Sequence, residues 1–155
     1  MQQPPPTESL TMEELFEGTL TEENLRSVAG TPQLRDVTRL ALVIDSSQTS
    51  VEGVWAAVPR LHTLTLDGSR LSSFRDLGVG LRNLNTLSLE SSCVEDLDGI
   101  GALSGLRKLR LTRNRVSDVT PLACHSSLQV LGLERNRVSD MNALEILGTL
   151  PLLYR

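Results

Sequence analysis

Two stretches of the chain repeat each other closely, and they decide the fold. Residues 106–122 read LRKLRLTRNRVSDVTPL and residues 128–144 read LQVLGLERNRVSDMNAL, so the pattern returns after 22 residues. Each stretch opens with the spacing L-x-x-L-x-L. Three earlier triplets have the same spacing: Leu84, Leu87, Leu89; Leu61, Leu64, Leu66; and the looser Val37, Leu40, Leu42. Units therefore start near 37, 61, 84, 106 and 128, and the run Pro151-Leu152-Leu153 predicts an incomplete unit from 153.

The second half of each unit is also apolar at fixed positions, such as Val116, Val119 and Leu122. In L-x-x-L-x-L the last two leucines lie two residues apart, so they point to the same side of a short strand. One such unit cannot bury its leucines alone, whereas stacked units bury them against each other. The pattern is that of a leucine-rich repeat at its short period. It predicts an α/β solenoid with short parallel strands on the concave face and 3₁₀ or helical turns on the convex face.

Polar residues occupy the eighth position after each start, where leucine-rich repeats often carry asparagine. A buried asparagine there can both donate and accept, and so complete the hydrogen bonds of the turn. We expect Asn114→Ala to cost about 1–3 kcal/mol for this reason. Serine would do the same with a shorter arm, so we expect the two asparagine units to be the more regular. The position holds Asp45, Ser69, Ser92, Asn114 and Asn136, and we assign structural roles to the last four.

Carboxylates precede the return turns in three of the units, at Asp96, Asp118 and Asp140. A carboxylate at the start of a helical turn can accept hydrogen bonds from free backbone N–H groups. We therefore expect these three residues to cap the turns that follow them.

The N-terminal region predicts a cap for the solenoid, which needs a polar outer face at its end. Residues 1–9 are polar and proline-rich, and we expect them to be disordered. Residues 10–36 predict a helical cap with two helices, one beginning at Thr11 and one at Thr21. Gly30 ends the second helix. A partner-binding helix is the alternative interpretation of this region.

The leucine-rich-repeat array is predicted to span residues 37–155. Its C-terminal end shows no comparable cap. Leu147 to Leu153 form an apolar run, and the last unit is incomplete. This predicts either that the chain is a fragment of a longer protein or that its apolar end is available for self-association.

Composition argues against several classes of function. The net charge is −4, and residues 1–36 alone contribute −5, so the array is near neutral and gives no support for nucleic-acid binding. The sequence contains no run of about 18 apolar residues, which is the length needed to span a membrane. The two cysteines, Cys93 and Cys124, form neither a disulfide framework nor a C-x-x-C pair, which favours a reducing, intracellular compartment.

The residues that could carry chemistry do not form a recognisable catalytic or metal-binding pattern. Cys124 and His125 are adjacent, which is not the spacing of metal ligands, and we expect His62 and His125 to be ordinary surface or half-buried residues. The run Gly78-Val79-Gly80 lacks the lysine and helix of a phosphate loop. We therefore predict a protein that is not an enzyme and that has no cofactor and no metal.

The outward face of the strands is the expected functional surface, and part of it is strongly basic. Fourteen of the fifteen basic residues are arginine, whose planar fork suits carboxylates. Stacking the units places Arg113 over Arg135 and Arg115 over Arg137, and we call these four residues the basic ridge. Two interpretations stay open: a docking surface for an acidic partner segment, or a solvated face whose charges pair with Glu90 and Glu134. The partner-binding candidates are Thr65, Asp67, Ser88, Glu90, Lys108, Arg110, Arg113, Arg115, Glu134, Arg135 and Arg137.

Two linked turns carry a narrower resemblance. Residues 73–78 read SFRDLG and residues 95–100 read EDLDGI, after the run LTLDGSRL at 64–71. With the irregular first unit and its insertion at 45–53, these sequences resemble the leucine-rich repeat-containing protein 56 family. The N-x-V-S-D turns at 114–118 and 136–140 resemble more broadly the intracellular, phosphatase-regulator-like subclass of leucine-rich repeats.

That resemblance implies a function. The family is ciliary, and similarity to it implies a scaffold in the cytoplasm and the cilium or flagellum that helps to assemble outer dynein arms. Partners would be outer-arm dynein or intraflagellar transport subunits, with no nucleic acid and no membrane, and no catalytic or cofactor residues come with the resemblance. The alternative is a general intracellular scaffold, such as a phosphatase-regulatory or ribonucleoprotein-type subunit.

Overall fold

A computed structural model describes residues 18–51, 53–139 and 141–148 of the chain. Its strands are short and its other elements are mostly single turns, as expected for units of about 22 residues. In chain order the elements are β1 (Gly18–Thr19), α1 (Glu22–Ala29), β2 (Arg39–Ala41), β3 (Thr49–Ser50), β4 (Thr63–Thr65), β5 (Thr86–Ser88), β6 (Lys108–Arg110), β7 (Val130–Gly132) and α2 (Met141–Gly148). The 3₁₀ turns are Leu34–Asp36, Val54–Ala57, Phe74–Leu77, Ile100–Ala102 and Thr120–Cys124.

One parallel sheet runs along the array in the order β2-β4-β5-β6-β7, and each unit adds one strand. The central leucine of each strand stands opposite its equivalent in the next, from Leu40 through Leu64, Leu87 and Leu109 to Leu131. The chain returns from each strand through a 3₁₀ or helical turn on the other side. The predicted leucine-rich-repeat solenoid is confirmed.

A continuous core lies between the strands and the return turns. Leu64, Leu87 and Leu109 have no exposed surface, and each full burial of this kind contributes about 1.5–3 kcal/mol. Trp55 and Phe74 are the largest fully buried side chains, and the Trp55 indole N–H donates to the Leu77 carbonyl at 2.9 Å. The core therefore extends from the strands to the return side without a break.

The N-terminal region forms one helix and one strand within its described part. Thr21 begins α1 by accepting from the Asn24 backbone N–H at 3.2 Å, and Gly30 ends the helix with a left-handed φ of 68°. Of the two helices predicted for 10–36, the one at Thr21 is present as α1, and a short strand that was not predicted, β1, precedes it and pairs in parallel with β3 in the insertion of the first unit. Just after β1, the Leu20 N–H donates to the Ser50 carbonyl of the insertion at 2.8 Å. The helix predicted from Thr11 lies outside the described residues.

The first unit differs from the others in the turn after its strand. Between the second and first units, the Arg70 N–H donates to the Ile44 carbonyl at 2.8 Å. Between the fourth and third units, the Arg115 N–H donates in the same way to the Val94 carbonyl at 2.8 Å. Ile44 is therefore the counterpart of Val94, and no position equivalent to the asparagine remains between Leu42 and Ile44. Placing Asp45 at that position was wrong, because the unit is too short there. Asp45 instead accepts from the backbone and hydroxyl of Ser47.

Asp96 and Asp118 accept hydrogen bonds just before the return turns of the third and fourth units, but the N-cap residues of those turns are Gly99 and Val119, so the predicted capping role is wrong in position. Asp96 accepts from the Asp98 N–H at 2.8 Å, and Asp118 accepts from the Thr120 N–H at 2.9 Å and from the Thr120 hydroxyl. The two bonds from Thr120 favour the ionised form of Asp118. The side-chain bond from Thr120, followed by its backbone bond, lowers the pKa of Asp118 below its ordinary value of 3.8.

Acidification should therefore weaken the fold through Asp118. A carboxyl group whose pKa is lower in the folded state stabilises the protein above its unfolded pKa and loses that contribution as pH falls through the folded value. We expect Asp118→Asn to reduce the fall in the free energy of unfolding between pH 5 and the region below 3.8. Urea denaturation at a series of pH values measures this fall. Thr120→Val, which removes the hydroxyl donor, should reduce it as well, and an unchanged pH dependence in both variants would contradict the assignment.

Several expectations fall on parts of the chain that are not described. They are the disorder of residues 1–9, the capping role of Asp140, the incomplete unit from 153 and the self-association of the apolar end. In the last described unit, Leu131, Leu133 and Val138 are only partly buried. Neither α1 nor α2 is long and apolar enough to cross a membrane.

Candidate protein-interaction surface

A ladder of buried polar side chains holds the turns beneath the strand face. Asn114 is 6% exposed, and its Oδ1 accepts from the N–H groups of Ser92 and Val94, both at 3.0 Å. Its amide nitrogen donates to the carbonyls of Leu89 at 2.7 Å and Leu111 at 2.8 Å. Three of these four bonds reach the preceding unit, so one side chain ties two neighbouring units together.

The other three residues of the ladder make fewer or weaker versions of these bonds. Asn136 accepts from the Val116 N–H at 3.1 Å and donates to the Leu111 carbonyl at 2.7 Å, but it is only partly buried. The Ser92 hydroxyl donates to the Leu66 carbonyl at 3.0 Å, and Ser69 accepts from the Ile44 N–H at 3.0 Å. A serine at the ladder position therefore bonds to the backbone of the preceding unit, as asparagine does, but it forms fewer hydrogen bonds.

The residue before each ladder position has a left-handed backbone. Gly68, Ser91, Arg113 and Arg135 all have φ between 53° and 76°. Only glycine adopts this conformation without cost, and a residue with a Cβ loses about 1–2 kcal/mol there. The fold therefore holds Arg113 and Arg135 in a strained conformation, in equivalent turns of neighbouring units.

The outward side chains of the central strands form a polar surface of mixed charge. Lys108 and Arg110 of β6 are exposed, whereas Thr65 of β4 is half-buried. Ser88 of β5 was expected to be an outward contact, but it is only 8% exposed and its hydroxyl donates to Asp67 at 2.6 Å. The same Asp67 oxygen accepts from the Glu90 N–H at 2.9 Å. Ser88 thus positions Asp67 and is not itself available to a partner.

The basic ridge is exposed, and one of its four arginines forms an ion pair with a residue that the structure describes. Arg115 lies 3.2 Å from the Glu95 carboxylate, and both side chains are more than half exposed. Among the described residues, Arg113, Arg135 and Arg137 form no ion pair, and neither do Lys108 and Arg110.

The carboxylates expected to neutralise the ridge do not do so. Glu90 and Glu134 form no ion pair with any residue that the structure describes. The ion pair of Arg115 goes instead to Glu95, on the loop that leads to the return turn. Of the two interpretations of the ridge, pairing across strands with Glu90 and Glu134 is therefore the one the geometry does not support.

The two turns that carry the family resemblance lie against each other. The Ser73 hydroxyl donates to the Asp98 carbonyl at 3.1 Å, and the Arg75 guanidinium lies 2.5 Å from the Asp98 carboxylate. This ion pair raises the pKa of Arg75. Gly99 packs so closely on this turn that a Cβ there would meet the Arg75 backbone nitrogen at 2.8 Å. SFRDLG and EDLDGI are therefore two halves of one contact between neighbouring units.

His125 lies in the core between two return turns, so the expectation of a surface or half-buried residue was wrong. It is 5% exposed, and its Nε2 lies 2.8 Å from the Leu103 carbonyl oxygen. His62 is exposed, as is the thiol of Cys93. Within the described ranges, no group of three or more His, Cys, Asp or Glu side chains could hold a metal ion.

Sequence reasoning missed the carboxylate that pairs with the ridge. Glu95 follows Val94, and Val94 accepts the backbone bond of Arg115, so the repeat spacing itself carried the signal. Charge alone could not identify Glu95 as the partner of the ridge. Glu90 and Glu134 lie closer to the strands in the sequence pattern and were therefore the carboxylates expected to pair with it.

Curated relatives share the repeat region of this chain. The chain is 37% identical over 97 residues to leucine-rich repeat-containing protein 56 of Homo sapiens, a match that covers 63% of this chain and 18% of the human protein. The homologue from Trypanosoma brucei brucei is 33% identical over 84 residues, or 54% of this chain and 11% of that protein. The matched region is therefore less than a fifth of either relative. No protein-family model matches the sequence.

Solved structures agree with the fold. The SNF/U2A′ complex of Drosophila melanogaster contains a chain that matches with a TM-score of 0.65 and 24% identity, covering 87% of this chain and 80% of that one. An internalin of Listeria monocytogenes matches with a TM-score of 0.62 and 22% identity, covering 97% of this chain and 46% of the internalin. The chain is thus a leucine-rich-repeat solenoid, homologous over its matched region to leucine-rich repeat-containing protein 56 of mammals and a trypanosome.

Proposed function

We propose that this protein is a non-catalytic, protein-binding scaffold that acts as an adaptor in assembling or transporting outer dynein arms of motile cilia or flagella. Its place of action is the cytoplasm and the cilium or flagellum. Homology to leucine-rich repeat-containing protein 56 supports the proposal, as does the contact between the two turns on which that resemblance rests. The partners proposed are outer-arm dynein or intraflagellar transport subunits.

The observation that carries the binding function is the exposed charge of the basic ridge. Three of its four arginines have no ion pair among the described residues, and Lys108 and Arg110 add two exposed cations on the adjoining strand. Guanidinium groups held on a rigid array are well suited to bidentate contacts with carboxylates. An acidic segment of the partner is therefore the ligand that this surface fits.

Affinity capture tests the proposal. The tagged chain is expressed in ciliated or flagellated cells, and the captured proteins are identified by mass spectrometry. Outer-arm dynein chains or intraflagellar transport subunits are expected. Capture of a phosphatase catalytic subunit or of nuclear proteins in their place would leave the fold intact and contradict the ciliary function.

Charge reversal at the basic ridge should abolish that capture. Replacing Arg113, Arg115, Arg135 and Arg137 together with glutamate should reduce partner recovery at least about tenfold, because each attractive contact becomes a repulsive one. A matched control reverses four exposed arginines outside the ridge: Arg35, Arg60, Arg82 and Arg107. Equal recovery with both variants would place the interface elsewhere.

A further inference from the structure

Arg115 and Arg137 occupy equivalent positions in neighbouring units, but they face different residues. The Arg115 N–H donates to the Val94 carbonyl at 2.8 Å, and its guanidinium pairs with Glu95, the next residue along the chain. The Arg137 N–H donates in the same way to the Val116 carbonyl at 2.9 Å. The residue after Val116 is Ser117. Ser117 therefore occupies, relative to Arg137, the repeat position that Glu95 occupies relative to Arg115.

Both members of this second pair, Ser117 and Arg137, are exposed. Neither side chain has a hydrogen bond or an ion pair with a described residue. Residues 115–119 lie outside helices and strands, so the serine sits on an open segment. Arg113 and Arg115 precede Ser117 by four and two residues, so the serine lies in a basic stretch of the chain.

We propose that Ser117 is a phosphorylation site and that the Arg137 guanidinium holds its phosphate. A protein kinase would transfer the terminal phosphoryl group of a nucleoside triphosphate. A bond forms between the Ser117 Oγ and that phosphorus, the bond from phosphorus to the nucleoside diphosphate breaks, and the hydroxyl proton is released. The phosphate carries about −1.5 to −2 charges at pH 7 and three acceptor oxygens, which an arginine fork binds with two parallel hydrogen bonds.

The modification would act on the basic ridge, and this consequence rests on the proposed function. Arg137 is one of the three ridge arginines without an ion pair among the described residues. A phosphate on Ser117 would occupy its guanidinium and would place a negative charge at the edge of the surface proposed for an acidic partner. Phosphorylation therefore lowers the affinity of the ridge for that partner.

The test uses the full 155-residue chain, a purified serine kinase that selects basic substrates, and magnesium ATP. Mass spectrometry should locate phosphate on Ser117 and not in the Ser117→Ala variant. Phosphorus NMR then follows the second ionisation of that phosphate with pH. Because the Arg137 cation favours the doubly charged form, the second pKa of this phosphate should lie below that of the same phosphate in a free peptide of residues 109–121. Arg137→Gln should remove this difference, and Arg107→Gln, at an exposed arginine outside the ridge, should preserve it.

Two results would overturn the proposal. One is phosphorylation of a free peptide of residues 109–121 without phosphorylation of Ser117 in the folded chain. The other is a phosphate whose ionisation is the same with and without Arg137. Neither measurement involves a binding partner, so its outcome is independent of the captures that test the proposed function.

Discussion

Replacing Gly99 with alanine is expected to lower the free energy of unfolding by about 3 kcal/mol. Gly99 has a φ of 94°, a conformation that a residue with a Cβ adopts only with strain. A Cβ there would also lie 2.8 Å from the Arg75 backbone nitrogen and 3.1 Å from the Phe74 carbonyl carbon. Both are backbone atoms of a packed turn, so they cannot move aside as a flexible side chain would. Strain and overlap therefore add.

Gly101→Ala is the matched control for this prediction. Gly101 lies two residues further along, inside the 3₁₀ turn that Gly99 precedes, and nothing lies within 4 Å of a Cβ placed on it. Its substitution should change the free energy of unfolding by less than about 0.5 kcal/mol. Urea denaturation followed by circular dichroism measures both variants. Equal midpoints for the two would show that the approach of Gly99 to Arg75 is not a tight constraint.

Replacing Asn114 with alanine is expected to cost nearly as much, about 3 kcal/mol. The substitution leaves the buried N–H groups of Ser92 and Val94 and the carbonyls of Leu89 and Leu111 each without their side-chain bond. Water cannot reach these groups readily, because Asn114 is only 6% exposed. The unpaired buried groups therefore destabilise the folded state by their full desolvation cost and lower the free energy of unfolding.

Asn136→Ala provides the comparison for Asn114. Its side chain makes equivalent bonds, to Val116 and Leu111 among others, but it is partly exposed and lies in the last described strand unit. Water can replace some of these bonds, so a loss of about 1 kcal/mol is expected. Denaturation of both variants under the same conditions gives the difference. An unchanged midpoint for Asn114→Ala would refute the role of the ladder in stability.

The contact between the SFRDLG and EDLDGI turns gives a physical reason for their joint appearance in the sequence. The Asp98 carboxylate forms an ion pair with Arg75, and the Asp98 carbonyl accepts a hydrogen bond from the Ser73 hydroxyl. The two turns approach so closely at position 99 that only glycine fits there without overlap. Separate substitutions would each break the contact. The sequence showed only that the motifs were linked, and the structure shows that the link is direct contact between neighbouring units.

The prediction of the solenoid succeeded because its physics is local and periodic. Leucines two residues apart on a strand face one way, and a constant period forces equivalent leucines such as Leu64, Leu87 and Leu109 into register. The same argument listed the outward residues of each strand, but it could not show that Ser88 among them is buried. It failed for Asp45, where the first unit lacks part of its turn and the period no longer applies.

The residues determined by themselves the fold class, the register of the strands and the stacking of the basic ridge, because these follow from spacing alone. Only the tertiary structure decided which charges are paired, since Glu95 and Arg115 belong to different units and meet through the path of the return loop. It also decided the pairing of β1 with β3 and the burial of His125. Each of these depends on a contact between segments of unlike sequence, for which a repeat period gives no information.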